Sequence, residues 1–477
     1  MIAMKRLSYH GHLAWLCGLG LFACGGDLPG PEENDLVVIL IVDTLRQDAL
    51  GCYGRENART PRIDALAAGG TRFDQAISSS GWTLPSVASL LTGTWPAMHK
   101  ATGKSTLLTP ITGDLPVAAE VFGEAGFTTI GLANAAFLSP LLGLDRGFDV
   151  FDHRHAYNRE IRRADETFDT ALGEIAAHSG EKIFALVHVF DVHLDYDPPQ
   201  GFIEPFVNGR SDPPPPLSMF QCIEMGRKGL GPLPADKRYM RGLYQGEVAF
   251  VDRAVGRFID GLKELGRWSD TTLVLISDHG EEFWDHGGFE HGHTLFDELI
   301  RVPLIMHLPG GEARPGQSIA QSIIDTQVRS VDVMPTLFDM YNIEAPGSFV
   351  GESLLPLIAG KSRPAPPAFS QSTLYGADKL SWRVDPYQLI YDLAPDADPK
   401  YELYNFRTDP ETIKDLALEL PEVGENLHRD LARFYNDLKA RAKGIRVPEV
   451  KNMSPSDVSK YLESIKVLGY SGREEDE

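Results

Sequence analysis

The chain has 477 residues, 43% of them hydrophobic, with 46 glycines and 33 prolines. That suits one large α/β core plus a smaller appendage and excludes a low-complexity chain. The formal net charge of −22 argues against nucleic acid as the main partner, although a bound cation reverses the field of a single cleft.

At the N-terminus, Lys5 and Arg6 precede the apolar run LAWLCGLGLFA (13–23). The run is too short to span a bilayer and has the length of a secretory h-region. It ends in Leu21-Phe22-Ala23-Cys24, which resembles a bacterial lipobox. Residues 1–23 then form a lipoprotein-type signal peptide, Cys24 the acylated first residue, and 24–35 a flexible tether. An ordinary signal peptide with an incidental cysteine is the simpler alternative. The lipid reading puts the protein in the bacterial cell envelope, periplasmic or on the outer surface. There it is held on a membrane by its acyl chains alone. Cys17 leaves with the signal, and Cys52 and Cys222 show neither a disulfide framework nor zinc-knuckle spacing.

The aliphatic run LVVILIVD (36–43) reads as a strand buried on both faces. TPRIDALAAGG (60–70) is a capped helix with a glycine stop, and TRFDQAIS (71–78) alternates as a strand. Helices are expected over 85–92, 115–126, 160–178, 237–266 and 331–343. Strands are expected over 127–134, 183–191, 271–278 and 301–308. Strands alternating with helices predict a mostly parallel sheet flanked by helices, with ligands beyond the carboxyl ends of the strands. The proline-rich segment 198–236 reads as a lid or surface insertion. Short strands from about 365 and a helix at 421–442 form a small C-terminal α+β subdomain. The main domain thus covers 36–360, the subdomain 361–445, and a polar tail 446–477.

Two strands end in aspartate, Asp43 and Asp278, and His279 follows the second. Carboxylate and imidazole together suit zinc or manganese rather than calcium. A helix cap is the plainer role for Asp43 taken singly. His286 and His291 divide evenly between metal ligands and a solvated loop. In GWTLPSVASLLTG (81–93), Pro85 suits a first helical turn, so Thr83 lies at a helix entrance where backbone N–H groups attract an anion. A hydroxyl there can be a nucleophile beside a cation, or a plain N-cap worth about 1 kcal/mol. His193, beyond the strand 183–191, is a candidate for donating to a substrate oxygen or protonating a leaving group. A loop histidine paired with Asp191 or Asp195 is its simpler role.

The pieces VDTLRQDALGCYG, TPRIDALAAGGTRFDQA, TLPSVASLLTG, FDVHLDYDPP, SDHGEEF and GHTLFDELIRVPLI stand in the order and spacing of the sulfatase family of the alkaline phosphatase superfamily. The likeness runs from about 36 to 360, with ELYNFRTDP after it. The resemblance implies an alkaline-phosphatase-like fold, ester hydrolysis and one divalent metal. It also shows departures. Thr83 stands where the family's sulfate-ester hydrolases carry the Cys or Ser converted to formylglycine. Val87 replaces the motif arginine, Thr44 the second aspartate, His279 the metal-binding asparagine, and Asn134 and His293 two lysines. The set is similar to that of threonine-nucleophile relatives such as phosphoethanolamine transferases. Their pattern implies a metal shell of Asp43, Thr83, Asp278 and His279. His193 and His293 then grip substrate oxygens or serve the leaving group, with Asn134 a further substrate-binding candidate. With one Arg and two Lys lost, a singly charged phosphodiester, phosphonate or sulfate ester fits better than a phosphate monoester dianion. The expected partner is such an ester on a glycan, lipid headgroup or small molecule. An atypical sulfuric ester hydrolase and a non-catalytic anion- or glycan-binding lipoprotein are the alternatives.

Overall fold

The computed structural model describes residues 35–104, 107–153, 162–207, 234–309, 322–394, 396–397 and 400–447. The signal, lipidation and tether expectations, Cys222, most of the proline-rich segment and nearly all of the polar tail lie outside these residues.

The first strand, β1 (Leu36–Val42), is fully buried along its length. Successive side chains of a strand point to opposite faces, and here both faces are dry. Val37, Ile39 and Ile41 enter one apolar cluster, and Leu36, Val38, Leu40 and Val42 the other. Each such side chain contributes about 1.5–3 kcal/mol, against about 1–2 kcal/mol per residue for fixing the backbone. A continuous aliphatic run therefore settles at the centre of a sheet rather than its edge.

The other strands are β2 (Thr71–Ile77), β3 (Thr128–Leu132), β4 (Val150–Asp152), β5 (Ile183–Val189), β6 (Thr271–Ile276), β7 (Arg301–His307) and β8 (Ser322–Ile324). Their order is β8-β2-β7-β6-β1-β5-β3-β4, with the short pair Val328–Arg329 beside β2. β7 runs antiparallel to both its neighbours, and the remaining pairings are parallel. The sheet is thus mixed and mostly parallel, as the alternation of elements predicts.

Helices cover both faces. The first cluster is closed by α2 (Thr83–Thr92) and α5 (Val333–Met340), the second by α1 (Pro61–Gly69), α3 (Ala164–Ala177) and the 31-residue α4 (Pro234–Glu264). α2 begins two residues before the predicted start, with Trp82 as its N-cap. Pro85 then sits in the first turn, where its missing N–H is one that would have had no partner anyway. The helix expected over 115–126 is confined to Ala118–Glu124.

Beyond residue 365, β9 (Ala368–Gln371), β10 (Lys379–Val384), β11 (Tyr387–Asp392) and β12 (Tyr401–Asn405) form a separate antiparallel sheet. α6 (Pro421–Ala442) packs on it through Leu431 and Leu438. The two units are joined through a buried polar strut. Arg383 of β10 donates to Gln75 and Gln327 at 2.9 and 3.0 Å and to Asp297 at 3.0 Å.

Candidate active site

The parallel strands bring their carboxyl ends to one edge. Asp43 follows β1, Asn134 follows β3, Asp191 and His193 follow β5, and Asp278 and His279 follow β6. The entrance of α2 faces the same edge, with the Thr83 hydroxyl 3.2 Å from His279 Nε2. The N-cap of α2 is Trp82, which makes no side-chain capping bond, and Thr83 is the first helical residue, so Thr83 is not the N-cap.

Each aspartate uses one oxygen and leaves the other. Asp43 Oδ2 lies 3.1 Å from His188 Nε2, and Asp278 Oδ1 accepts from the His279 backbone N–H at 3.0 Å. Asp43 Oδ1 and Asp278 Oδ2 are buried without a hydrogen-bond partner among the described residues. They lie 3.5 and 3.4 Å from His279 Nε2. His279 Nδ1 donates to the Gly280 carbonyl at 2.9 Å, so in the neutral ring the lone pair is on Nε2 and points at both oxygens and at Thr83. Asp43, Asp278 and His279 each offer one ligand atom, and these atoms lie within 4.8 Å of one another.

Two unpaired carboxylate oxygens facing each other out of water are costly, and the titration tendencies express that strain. Burial pushes the Asp43 carboxyl up, but the hydrogen bond from His188 and the electrostatic pull of the surrounding His188, His193 and His279 rings outweigh it and hold it well below the usual carboxylate range. Burial and the Asp43 charge push Asp278 up to about 6. Burial lowers the His279 imidazole, but the Asp278 and Asp43 carboxylates outweigh it and raise it. Two orphaned oxygens and an oriented imidazole lone pair fit a divalent cation by the chemistry of the donor set.

Around this centre the structure distributes the remaining residues. Thr44 turns its hydroxyl to the Val192 carbonyl at 2.9 Å. Val87 lies in the apolar cluster under α2. His193 is buried, stacked on Phe190 with ring centroids 4.2 Å apart, and its Nδ1 donates to the Leu194 carbonyl at 2.6 Å. Burial and the neighbouring His291 pull it down to about 4. Asn134 is engaged on every side. Its Nδ2 donates to the His188 carbonyl and to Thr167 Oγ1, and its Oδ1 accepts from Arg162 at 3.0 and 3.1 Å. His293 is held by Glu282, Nε2 to Oε2 at 2.7 Å. His286 ties Glu298 to the Thr412 carbonyl at 2.7 and 3.0 Å and stacks on Phe296.

Two more histidines join the centre: His291, which the sequence leaves evenly between a metal ligand and a solvated loop, and His188, which it does not single out. His291 is fully buried, its ring centroid 4.4 Å from that of His279 and 5.0 Å from that of His193. Its Nδ1 pairs with Glu281 Oε1 at 2.8 Å, and Tyr196 donates to the other Glu281 oxygen at 2.8 Å. His188 had a sequence signal, a lone imidazole inside the aliphatic run IFALVHV.

Comparison with known proteins gives a consistent picture. A family model described as Sulfatase matches residues 35–343, and another described as N-sulphoglucosamine sulphohydrolase, C-terminal, matches residues 284–437. An uncharacterized sulfatase, YidJ, of Escherichia coli (strain K12) is 23% identical over 84% of this chain and 87% of its own length. A structure solved in complex with its substrate D-glucosamine-2-N,6-O-disulfate superposes with a TM-score of 0.70 at 18% identity, covering 86% of this chain and 100% of that one. The phosphonate monoester hydrolase of Agrobacterium radiobacter superposes at 0.68 with 20% identity, over 86% of this chain and 96% of that one.

Proposed function

The chain belongs to the sulfatase family and is a sulfatase-like ester hydrolase, and from that premise we propose that it acts on phosphodiester or phosphonate esters through Thr83. The cation is zinc or manganese, held by Asp43, Asp278 and His279 with the Thr83 hydroxyl beside them. One observation carries the reading: the only hydroxyl hydrogen-bonded to His279 Nε2 among the described residues is that of Thr83, at a helix entrance.

A divalent cation there supplies charge neutralisation and lowers the pKa of a neighbouring hydroxyl, an effect of about 8–9 units for a bound water. The protein's own groups do the rest. Thr83 is 1% exposed, so its oxygen is sheltered from bulk water and competes with little solvent for an ester. Thr83 opens α2, and the N-terminal end of a helix favours negative charge developing beside it. In the reaction the Thr83 hydroxyl gives its proton to a neutral imidazole, His193 in this reading, and its oxygen bonds to phosphorus. The bond from phosphorus to the leaving oxygen breaks, the electron pair going to that oxygen, which takes the proton from His193. A second attack then releases threonine. Water as attacker makes a hydrolase, an alcohol or sugar a transferase. His193, lowered by burial and by His291 to about 4, begins neutral and suits accepting the proton of that second attacker. It then returns that proton to the Thr83 oxygen as the bond from that oxygen to phosphorus breaks, which restores the hydroxyl.

The groups acting most strongly on Asp43, Asp278 and His279 are histidines and carboxylates. A singly charged ester suits such a site better than a dianion. Sulfate esters carry the same single charge and share the shape of the transition state, so atypical sulfuric ester hydrolysis stays within the proposal. A panel of aryl phosphodiester, phosphonate and sulfate esters, assayed on wild type and Thr83→Ala, tests it. The reading requires at least one ester turned over by wild type and not by the variant. The proposal includes a place in the bacterial cell envelope, with the chain anchored through a lipid on Cys24.

A further inference from the structure

The metal-facing geometry of Asp43 depends on a residue that offers the cation nothing itself. We infer that His188 is a positioning residue that holds Asp43 as a one-oxygen ligand, an inference that rests on the proposed cation site.

His188 lies in β5 opposite Ile41 of β1. Its side chain points to the same face of the sheet as Asp43, the face covered by α2. It is fully buried, and its Nε2 lies 3.1 Å from Asp43 Oδ2. An ionised carboxylate only accepts, so Nε2 carries the proton and donates. The tautomer agrees with the other ring nitrogen, since His188 Nδ1 has no partner among the described residues. A buried lone pair without a partner is better tolerated than a buried N–H without one. With Oδ2 occupied by this bond, Oδ1 alone is left facing Asp278 and His279.

The strand carrying His188 is fixed from the other side. Asn134, at the end of the adjacent β3, donates to the His188 carbonyl. Arg162 holds Asn134 in turn and reaches Asp152 at 3.0 Å. Asn134 therefore acts on the register of His188. Thr44, with its hydroxyl on the Val192 carbonyl, supplies no second carboxylate after β1. The orientation of Asp43 matters more in a site with few carboxylates, because loss of one aligned oxygen removes a larger share of the ligand set.

The test measures zinc affinity by competition with a chromophoric chelator on purified wild type, His188→Gln and His188→Met. Glutamine can place an N–H near the position of Nε2, whereas methionine fills similar volume without a donor. Melting in chelator, with no metal present, reports the structural cost of each change separately. The inference predicts zinc binding 10–100-fold weaker in His188→Met, with His188→Gln within a few-fold of wild type and the metal-free melting temperatures of the two variants alike. Equal zinc affinity in wild type and His188→Met overturns it. Equal weakening in both variants also overturns it, since ring shape rather than the donor would then matter. A wild type that binds no zinc or manganese defeats the site itself, a result distinct from either.

Discussion

The Thr83 hydroxyl stands 3.2 Å from His279 Nε2, although 196 residues separate the two in the chain. Burial of both makes the contact specific. If this hydroxyl is the nucleophile, Thr83→Ala lowers kcat by at least about a thousandfold, the scale on which enzymes lose turnover when a nucleophile is removed. Thr83→Ser keeps measurable turnover. Unfolding free energy changes by only about 1 kcal/mol in the alanine variant, the cost of a small buried truncation. Steady-state kinetics beside urea unfolding separate the two effects. An active alanine variant, or one that fails only because it unfolds, contradicts the role.

Metal removal has a second signature besides activity. Anything bound to the folded chain alone stabilises it, by about 2.7 kcal/mol at a hundredfold excess over Kd. Zinc or manganese therefore raises the melting temperature of the chelator-treated protein. Asp278→Asn, which removes one of the two orphaned oxygens' charges, loses most of that rise. Scanning calorimetry with and without metal is the check, and an equal rise in wild type and variant tells against the assigned ligands.

A pH dependence of stability follows from a different cluster. Burial pushes Asp191 up to about 7, and burial with the Asp191 charge pushes Glu247 up to about 8. Unfolded carboxyls titrate near about 4, so between those values the folded chain binds more protons than the unfolded one. Stability then falls as pH rises, by at most about 1.4 kcal/mol per pH unit per group. Arg163, 3.7 Å from Asp191 and 3.4 Å from Glu247 with a partly exposed side chain, moderates the loss. The urea midpoint is expected to be lower at pH 8.5 than at pH 6, with a shallower difference in Asp191→Asn. A midpoint rising with pH, or an unchanged difference in the variant, counts against this.

Lipidation at Cys24 predicts that radiolabelled palmitate enters the full chain expressed in a bacterial host and partitions with membranes. Cys24→Ala abolishes both. Labelling that persists in the variant removes the anchor from the account.

Much of the fold was legible because aliphatic continuity reports burial directly. LVVILIV and TTLVLI can only be central strands in a chain of this length, and their terminal aspartates follow at the sheet edge. Side-chain direction was not legible where local backbone breaks the pattern. Glu290 and Gly292 have positive φ values of 75° and 77°, so the alternation through the segment is lost. His291 turns inward beside His279 while His293 goes to Glu282, which spacing alone does not distinguish. Asn134 occupies the expected strand end, but Arg162 and Thr167 compete for its amide. Those partners come from α3 and the segment before it, a contact set by packing. His188 was hidden by its surroundings, since an aliphatic strand is read for its burial rather than for its one polar member.

Mapping the modified residue after a rapid acid quench of enzyme with an aryl phosphonate or phosphodiester tests the central claim most directly. Intact mass and peptide fragmentation are predicted to show the phosphonyl or phosphoryl group on Thr83, in proportion to the first burst of released phenol. Turnover with a clear burst but the adduct on another residue, or steady turnover with Thr83 unmodified at every quench time and in every ester, would contradict it.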